Sequence, residues 1–286
     1  MTSPKEIMRK KGLHPLKRFG QSFLQDKSII ARIVDAADIR KSDAVLEIGP
    51  GLGIMTALIA ERAKEVIAIE IDPYMVNILT EALADKANLK IIQTDILTYD
   101  LAGALPESSP AKLNVIGNVP YNISTPILFH LMAFRKKIRS ITIMLQKEVA
   151  DRLAASPGTK AYGIPSVVVS MYAQVIPVMD VPPECFYPKP KVTSSVIRID
   201  IRESPLVALD SEDFFSATVK TAFSQRRKTL FNNLKGIRFP EGDADIASAL
   251  DRAGIDGGRR AETLSVEEFG SLSNALLELA GHREKH

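Results

Sequence analysis

Four short segments of this chain carry groups able to act on a ligand, and their order is informative. Val45-Leu46-Glu47-Ile48 runs into Gly49-Pro50-Gly51-Leu52-Gly53, and glycines let a ligand approach the backbone because no Cβ intervenes. Glu70 closes the next apolar run, where a carboxylate can accept hydrogen bonds from both hydroxyls of a ribose. Asp95 closes the third, where a carboxylate can accept from an adenine amino group. Asn118-Val119-Pro120-Tyr121 follows the fourth. Asn118 brings an amide acceptor, Pro120 a carbonyl on a backbone of fixed φ, and Tyr121 a face for stacking. Singly, each has a plainer reading: tight packing for the glycines, a surface acid at Glu70, a helix N-cap at Asp95, a β-turn at Asn118-Pro120. A dinucleotide fingerprint needs G-x-G-x-x-G, and Ile54 occupies its third glycine place, which counts against nicotinamide binding.

Groups at these positions must be held by parallel βαβ construction. Strands are expected at 44–48, 66–71, 89–94, 113–117 and 140–145, continuous apolar runs of the kind buried on both faces. Helices are expected between them at 54–63, 73–84 and 126–135, the last with Thr125 as N-cap and Pro126 at its first position. Each chemical group then sits at a strand's carboxyl end and faces one crevice, as the rule for open α/β sheets requires. Beyond Val149, residues 167–169, 175–176 and 195–199 read as further strands with an antiparallel ending, so the sheet closes near Arg202. Phe215, Val219, Ala222, Phe223, Leu230 and Leu234 then keep helical spacing up to Gly236, a good C-cap, and helical patterns continue at 246–253 and 266–279. The expected organisation is an α/β domain over 1–205, a mostly parallel Rossmann-like sheet, followed by a small all-α domain over 206–286.

Composition sets bounds. The 286 residues are 45% hydrophobic, enough for one large core and a smaller one. A net charge of +3 is only mildly basic, so clustering of Lys and Arg matters more than the total. Cys185 is the sole cysteine, which rules out an internal disulfide and thiolate-rich zinc, and fits a reducing cytoplasm. His14, His130, His282 and His286 lack metal-ligand spacing, so no metal is expected. No run reaches the roughly 18 apolar residues of a membrane span, and a soluble monomer is the default expectation.

The glycine turn with Glu70 and Asp95 resembles the S-adenosylmethionine site of Rossmann-like methyltransferases, and Asn118-Val119-Pro120-Tyr121 is similar to the Asn-hydrophobe-Pro-Tyr signature of adenine N6-methyltransferases. An exocyclic amine is a poor nucleophile because its lone pair is delocalised into the ring. Acceptance of its protons by the Asn118 side-chain oxygen and the Pro120 carbonyl would let the nitrogen move toward tetrahedral geometry. With Lys17-Arg18-Phe19-Gly20-Gln21-Ser22-Phe23-Leu24, Met144 to Val149, Lys160-Ala161-Tyr162-Gly163 and Phe223 to Thr229, these motifs resemble the bacterial small-subunit (16S) rRNA adenine dimethyltransferases over nearly the whole chain. The resemblance implies dimethylation of two neighbouring adenines in the 3′-terminal hairpin loop of 16S rRNA, on a pre-30S or 30S particle, with S-adenosyl-L-methionine as cofactor. Carried over, cofactor contacts fall on Ser22, Leu24, Gly49, Gly51, Glu70, Asp95 and Asn118, and the base site on Asn118, Pro120, Tyr121 and Phe186, the last facing the base opposite Tyr121. The family commonly has Asn where Ser22 stands and Leu where Val119 stands; Ser22 reaches less far, and Val119 keeps an apolar role.

Basic clusters at Arg9-Lys10-Lys11, Lys17-Arg18, Arg135-Lys136-Lys137 with Arg139, Lys189 with Lys191, and Arg226-Arg227-Lys228 are candidates for RNA phosphate. Arg226, Arg227 and Lys228 are favoured, on the polar side of the first tail helix. Three alternatives stay open: a large-subunit rRNA adenine dimethyltransferase of the resistance type, an assembly factor that binds RNA without catalysis, and, third, a nicotinamide oxidoreductase.

Overall fold

The computed structural model describes residues 6, 8, 9, 15, 20–104, 112–239 and 245–283, with side chains to residue 281. Lys10, Lys11, His14, Lys17, Arg18, Phe19 and His286, and the side chain of His282, lie outside the described residues. In chain order the elements are β1 (Phe23–Leu24), α1 (Lys27–Ala36), β2 (Ala44–Ile48), α2 (Ile54–Arg62), β3 (Glu65–Glu70), α3 (Pro73–Ala82), β4 (Leu89–Gln93), β5 (Leu113–Asn118), α4 (Ser124–Ala133), β6 (Ile138–Gln146), α5 (Lys147–Leu153), α6 (Ile164–Tyr172), β7 (Ala173–Val181), β8 (Phe186–Tyr187), β9 (Ser194–Ile201), α7 (Glu212–Ala222), α8 (Leu230–Leu234), α9 (Ile246–Arg252) and α10 (Val266–Arg283). The chain divides into two compact units, Met1–Ala150 with Ile176–Ile201 and Asp151–Val175 with Arg202–His286. The boundary expected after residue 205 thus falls near the passage at Ile201, while residues 151–175 group with the helical unit.

The first unit is an α/β sheet of order β4-β3-β2-β5-β6-β9-β7. The strands from β4 to β6 pair in parallel, and β9 runs antiparallel to β6, as the mostly parallel pattern with an antiparallel ending requires. Every residue of β2 is buried, as are 66–70 of β3 and 113–117 of β5. That is why these strands read as unbroken apolar runs rather than alternating ones. From β2 the sheet grows one way through β3 and β4 and the other way through β5 and β6, so a crevice opens at the carboxyl ends of β2 and β5. Helix α1 covers the sheet with Ile29, Ile30, Ile33 and Val34, and its N-cap Asp26 accepts from the Ser28 and Ile29 amides at 2.9 and 3.3 Å.

Three local expectations are corrected. Val167-Val168-Val169 is not a strand: it lies in α6, whose N-terminus is closed by Ser166, the hydroxyl accepting from Gly163 N–H (3.1 Å) and donating to the Arg152 carbonyl (2.6 Å). Gly163, Pro165 and Ser166 are helix-start residues that outweigh the β-branched run. Helix α4 begins at Ser124, not Pro126, because a 3₁₀ turn over Tyr121–Ile123 leads straight into it. The tail helix does not run unbroken to Gly236. It stops at Ala222 because the buried Asn233 amide donates to the carbonyls of Ala222 (2.7 Å) and Gln225 (3.1 Å), stabilising a turn over 223–229.

The second unit buries Phe214, Phe215, Val219, Phe269, Leu272 and Leu276, with the Phe223 and Phe269 rings stacked at 5.7 Å. Among the described residues no helix is long and apolar enough to cross a membrane. Ser166→Ala removes the side-chain acceptor of the Gly163 amide and one donor to the Arg152 carbonyl, which keeps the Ala155 amide, and should cost about 1–2 kcal/mol of stability. Chemical denaturation monitored by circular dichroism measures this, and a loss under a few tenths would exclude the cap as the reason α6 is helical.

Candidate functional site

At the sheet's crevice lies a cavity of about 360 Å³, lined by the glycine turn, the ends of β3 and β5, residues 94–97 and the segment 20–24. That size falls in the roughly 300–1,000 Å³ range of small-molecule sites. The glycines have distinct reasons. At Gly51 (φ +55°) a Cβ would lie 2.9 Å from the Phe23 ring, which covers the turn, and at Gly53 (φ +77°) it would lie 2.5 Å from Leu79 Cδ1. Only glycine accommodates the left-handed backbone and both neighbours together.

Glu70 is 6% exposed, and both carboxylate oxygens are engaged: Oε2 accepts from Gly51 N–H (3.1 Å) and Oε1 from Asp72 N–H (2.9 Å). Burial raises its pKa, while the Asp72 and Gly51 amides pull it down. Each oxygen keeps a second lone pair, so the carboxylate can still accept from the hydroxyls of a sugar. Asp95 Oδ1 accepts from Leu97 N–H at 2.9 Å, the local turn-capping role, with the cavity beside it.

Asn118 ends β5, and its Nδ2 donates to the Ser22 carbonyl at 3.0 Å. The amide is thereby oriented with donor inward to the segment 20–24 and Oδ1 left as acceptor. Ser22 does not turn its hydroxyl to the cavity: Oγ donates to the Pro188 carbonyl at 2.9 Å. Pro120 is the pivot into the 3₁₀ turn and its carbonyl accepts from Ile123 N–H at 3.2 Å, retaining one lone pair for a further donor. The Tyr121 hydroxyl lies 2.5 Å from Ser194 Oγ at the start of β9, and burial raises its pKa. Val119 is 1% exposed, the apolar role expected of it.

Gly49, Gly51, Glu70, Asp95, Asn118, Pro120, Tyr121, Ser22 and Leu24 are therefore brought to one cavity. Phe186 is not. Its pairing with Leu24 turns it into the core against Ile30 and Val196, 3% exposed, whereas the neighbouring Tyr187 faces the other way, toward Leu52, Met75 and Ile78. Burying a phenylalanine there contributes roughly 1.5–3 kcal/mol, which is the physical reason it does not face the cavity. Arg226 sits in the turn over 223–229 rather than on a helix, its guanidinium donating to Glu262 (2.8 Å) and the Lys160 carbonyl (3.0 Å). Arg227 and Lys228 are exposed beside it. Three site residues were missed by sequence reasoning: Gln21, whose Nε2 donates to Asp72 Oδ2 at 2.7 Å; Ser194; and Glu47, a fully buried carboxyl on the cavity wall that burial pushes up to about 8. A lone acid in the apolar run Val45-Leu46-Glu47-Ile48 was the available signal for the last.

The described charged residues of the cavity wall are Glu47, Glu70 and Asp95, all acids, among apolar groups such as Ile30, Met55 and Ile127. A nucleoside carrying positive charge fits this donor and acceptor set. Among the described residues no group of three or more His, Cys, Asp or Glu could hold a metal.

Residues 14–278 match the family model described as ribosomal RNA adenine dimethylase. The chain is 48% identical over 277 residues to the ribosomal RNA small subunit methyltransferase A of Syntrophus aciditrophicus, covering 96% of this chain and 99% of that one. It is 44% identical over 274 residues to the protein of that name from Geobacter metallireducens, covering 96% and 100%. Among solved structures it is similar to a dimethyladenosine transferase from Plasmodium falciparum (TM-score 0.76, 26% identity, 87% and 95% covered) and to the 23S rRNA methyltransferase ErmE (TM-score 0.70, 28% identity, 89% and 99% covered).

The Tyr121 and Ser194 hydroxyls form one bond, so Tyr121→Phe and Ser194→Ala should be non-additive, with a coupling of about 0.5–1.5 kcal/mol in a double-mutant cycle of denaturation midpoints. Strictly additive losses would show that the contact contributes nothing.

Proposed function

The chain belongs to the ribosomal RNA adenine dimethylase family, and on that premise we propose that it dimethylates N6 of two adjacent adenosines in the 3′-terminal hairpin loop of 16S rRNA, using S-adenosyl-L-methionine, on a pre-30S or 30S particle in the cytoplasm. The observation that carries the reading is Asn118, whose amide is turned by the Ser22 carbonyl so that Oδ1 is left to accept at the mouth of an acid-walled cavity.

Bound there, the cofactor would supply a methyl group on cationic sulfur. Glu70 and Asp95 would hold its sugar and base, and the glycine turn would let it lie against backbone. Asn118 Oδ1 and the second lone pair of the Pro120 carbonyl would accept the two protons of an adenine amino group. That draws the nitrogen lone pair out of ring conjugation and toward the methyl without a strong base. Tyr121, tethered by Ser194, would offer its ring to the extruded base. In the helical unit Arg226 is committed to Glu262 and Lys160, so Arg227 and Lys228 are the side chains we assign to RNA phosphate. A large-subunit substrate is the second reading, favoured only by the likeness to the 23S enzyme, whose 28% identity is well below the 48% and 44% of the small-subunit enzymes.

Methyl transfer to unmethylated 30S and, in parallel, 50S particles, followed by nucleoside mass spectrometry, tests the assignment. Dimethyladenosine at the 3′ end of 16S rRNA is expected, and label confined to 50S would transfer the chain to the second reading. Asn118→Ala should lower turnover about a hundredfold or more, with cofactor affinity, measured by equilibrium dialysis, falling less; undiminished turnover would remove Asn118 from the chemistry. Arg227→Ala with Lys228→Ala should weaken 16S rRNA binding and flatten its log–log salt dependence by roughly one to two in slope. An unaltered slope would place the phosphate contacts elsewhere.

A further inference from the structure

Glu47 is a buried acid whose carboxyl has no described hydrogen-bond partner. It sits mid-strand in β2, wholly buried, with neither carboxyl oxygen hydrogen-bonded to any described protein group. Yet it is not remote from the cofactor cavity, whose lining includes it, with the carboxyl oxygens just beneath the cavity surface. An ionised carboxylate with no partner in such a place costs several kcal/mol. Two polar neighbours act on that cost in opposite senses. From β3 it faces the carboxyl of Glu70, which repels a second negative charge. From α2 it faces Thr56, whose hydroxyl favours the ionised form by more than Glu70 disfavours it, yet completes no hydrogen bond to a described group. The α1 residues lining the same cavity are the apolar Ile30 and Ile33, and the β5 residue paired with it is Ile116. Lys27, Arg32, Asp35, Glu61 and Arg62 on the same helices do not line the cavity. Burial, with Glu70 beside it, raises the carboxyl to about 8, so the ligand-free protein carries it protonated at neutral pH.

Among the described residues, the cavity wall bears three carboxyls and no basic side chain. A cation entering such a space is attracted by each ionised acid and reverses the balance at Glu47, since it supplies the positive charge the protein withholds. We propose that Glu47 is a charge switch coupled to cofactor binding, neutral in the ligand-free protein and ionised when a cationic ligand occupies the cavity, so that binding S-adenosylmethionine expels a proton that its uncharged-sulfur product does not. The inference rests on the reading of the cavity as an S-adenosylmethionine site. It also gives the protein a means to tell substrate cofactor from spent cofactor: transfer of the methyl removes the sulfonium charge, Glu47 regains its proton, and the attraction that held the cofactor is lost.

The test counts protons. Calorimetric titration of the whole protein with S-adenosylmethionine near pH 7, in buffers of differing ionisation enthalpy, should show release of roughly half to one proton per ligand. S-adenosylhomocysteine shares the amino-acid moiety and every ionisation belonging to it, so the difference between the two ligands isolates the sulfonium, and the homocysteine compound should release distinctly less. Affinity for S-adenosylmethionine should rise about tenfold or more between pH 6 and 9, levelling above about pH 8. Glu47→Gln keeps the shape of the neutral acid and leaves Glu70 and Asp95 in place. It should abolish the extra proton and flatten the affinity profile.

Fold integrity has its own sign. A carboxyl raised from 4.5 to about 8 in the folded state makes the ligand-free protein lose stability as pH rises through that window, so the melting temperature should fall from pH 5 to pH 8 in the native chain and less steeply in Glu47→Gln. S-adenosylmethionine binding without proton release, or release that persists in Glu47→Gln, overturns the proposal while leaving the methyltransferase reading intact. Failure of S-adenosylmethionine to bind at all, in equilibrium dialysis with labelled ligand, overturns both.

Discussion

The site depends first on a buried carboxylate that the backbone holds at both oxygens. Glu70 takes the amide of Gly51 in the turn after β2 and the amide of Asp72 after its own strand. Each charge-assisted bond is worth about 1.5–3 kcal/mol, enough together to offset much of the desolvation of one partly ligand-facing carboxylate. The bonds also fix the glycine turn against the end of β3, so the floor of the cavity is preformed. Were the turn free, each ligand would have to order it at an entropic cost of about 1–2 kcal/mol per residue.

From Glu70 the constraint propagates through Asp72. Its carboxylate caps α3 by accepting from Tyr74 N–H and receives the Gln21 amide on its other oxygen. Gln21 belongs to the segment 20–24, whose next residue offers its carbonyl to Asn118 and its hydroxyl to Pro188. The segment continues into β1, paired with β8. A single stretch of chain thus ties the end of β3, the end of β5 and the 186–188 strand. The orientation of the Asn118 amide follows from that tie, and it is the orientation that makes Oδ1 an acceptor toward the cavity. Where the family commonly has Asn, Ser22 keeps the backbone part of this role and spends its hydroxyl on the protein.

What the sequence made legible was whatever depends on local periodicity and strand ends. Buried parallel strands announce themselves as apolar runs, and Gly49, Glu70, Asp95 and Asn118 could be placed because each follows such a run. The misreadings share a different cause: long-range contacts that periodicity does not encode. Asn233 breaks a helix eleven residues upstream by taking its carbonyls, which spacing alone would have continued. Phe186 follows Leu24 into the core because two distant dipeptides pair. Arg226 belongs to a basic triplet that invites an RNA role, but Glu262 and the Lys160 carbonyl, from motifs dozens of residues away, hold it in place. The segments around residues 160, 226 and 262 therefore hold one another in place. Tyr162 adds to this by donating to the Leu264 carbonyl and meeting the Phe223 ring edge-on.

The charge pattern of the cavity has a consequence for how binding and release are balanced. In the proposed site, acids that accept hydrogen bonds from a ribose and an adenine would do so whatever the charge of the ligand, so Glu70 and Asp95 alone would grip substrate and product cofactors about equally. Such uniform binding does nothing to clear the site between successive methyl transfers. A further acid with no hydrogen-bonding duty responds to charge alone. At an effective dielectric of about 20, a unit charge a few ångströms away contributes on the order of 4 kcal/mol, comparable with the cost of ionising a buried carboxyl. Glu47 has that character: it hydrogen-bonds to no described protein group and lies just beneath the cavity surface, and its ionisation is balanced closely enough for one positive charge to decide it. For a methyltransferase that must exchange its cofactor between turnovers, a carboxyl without a hydrogen-bonding duty is the one free to sense whether the methyl has gone.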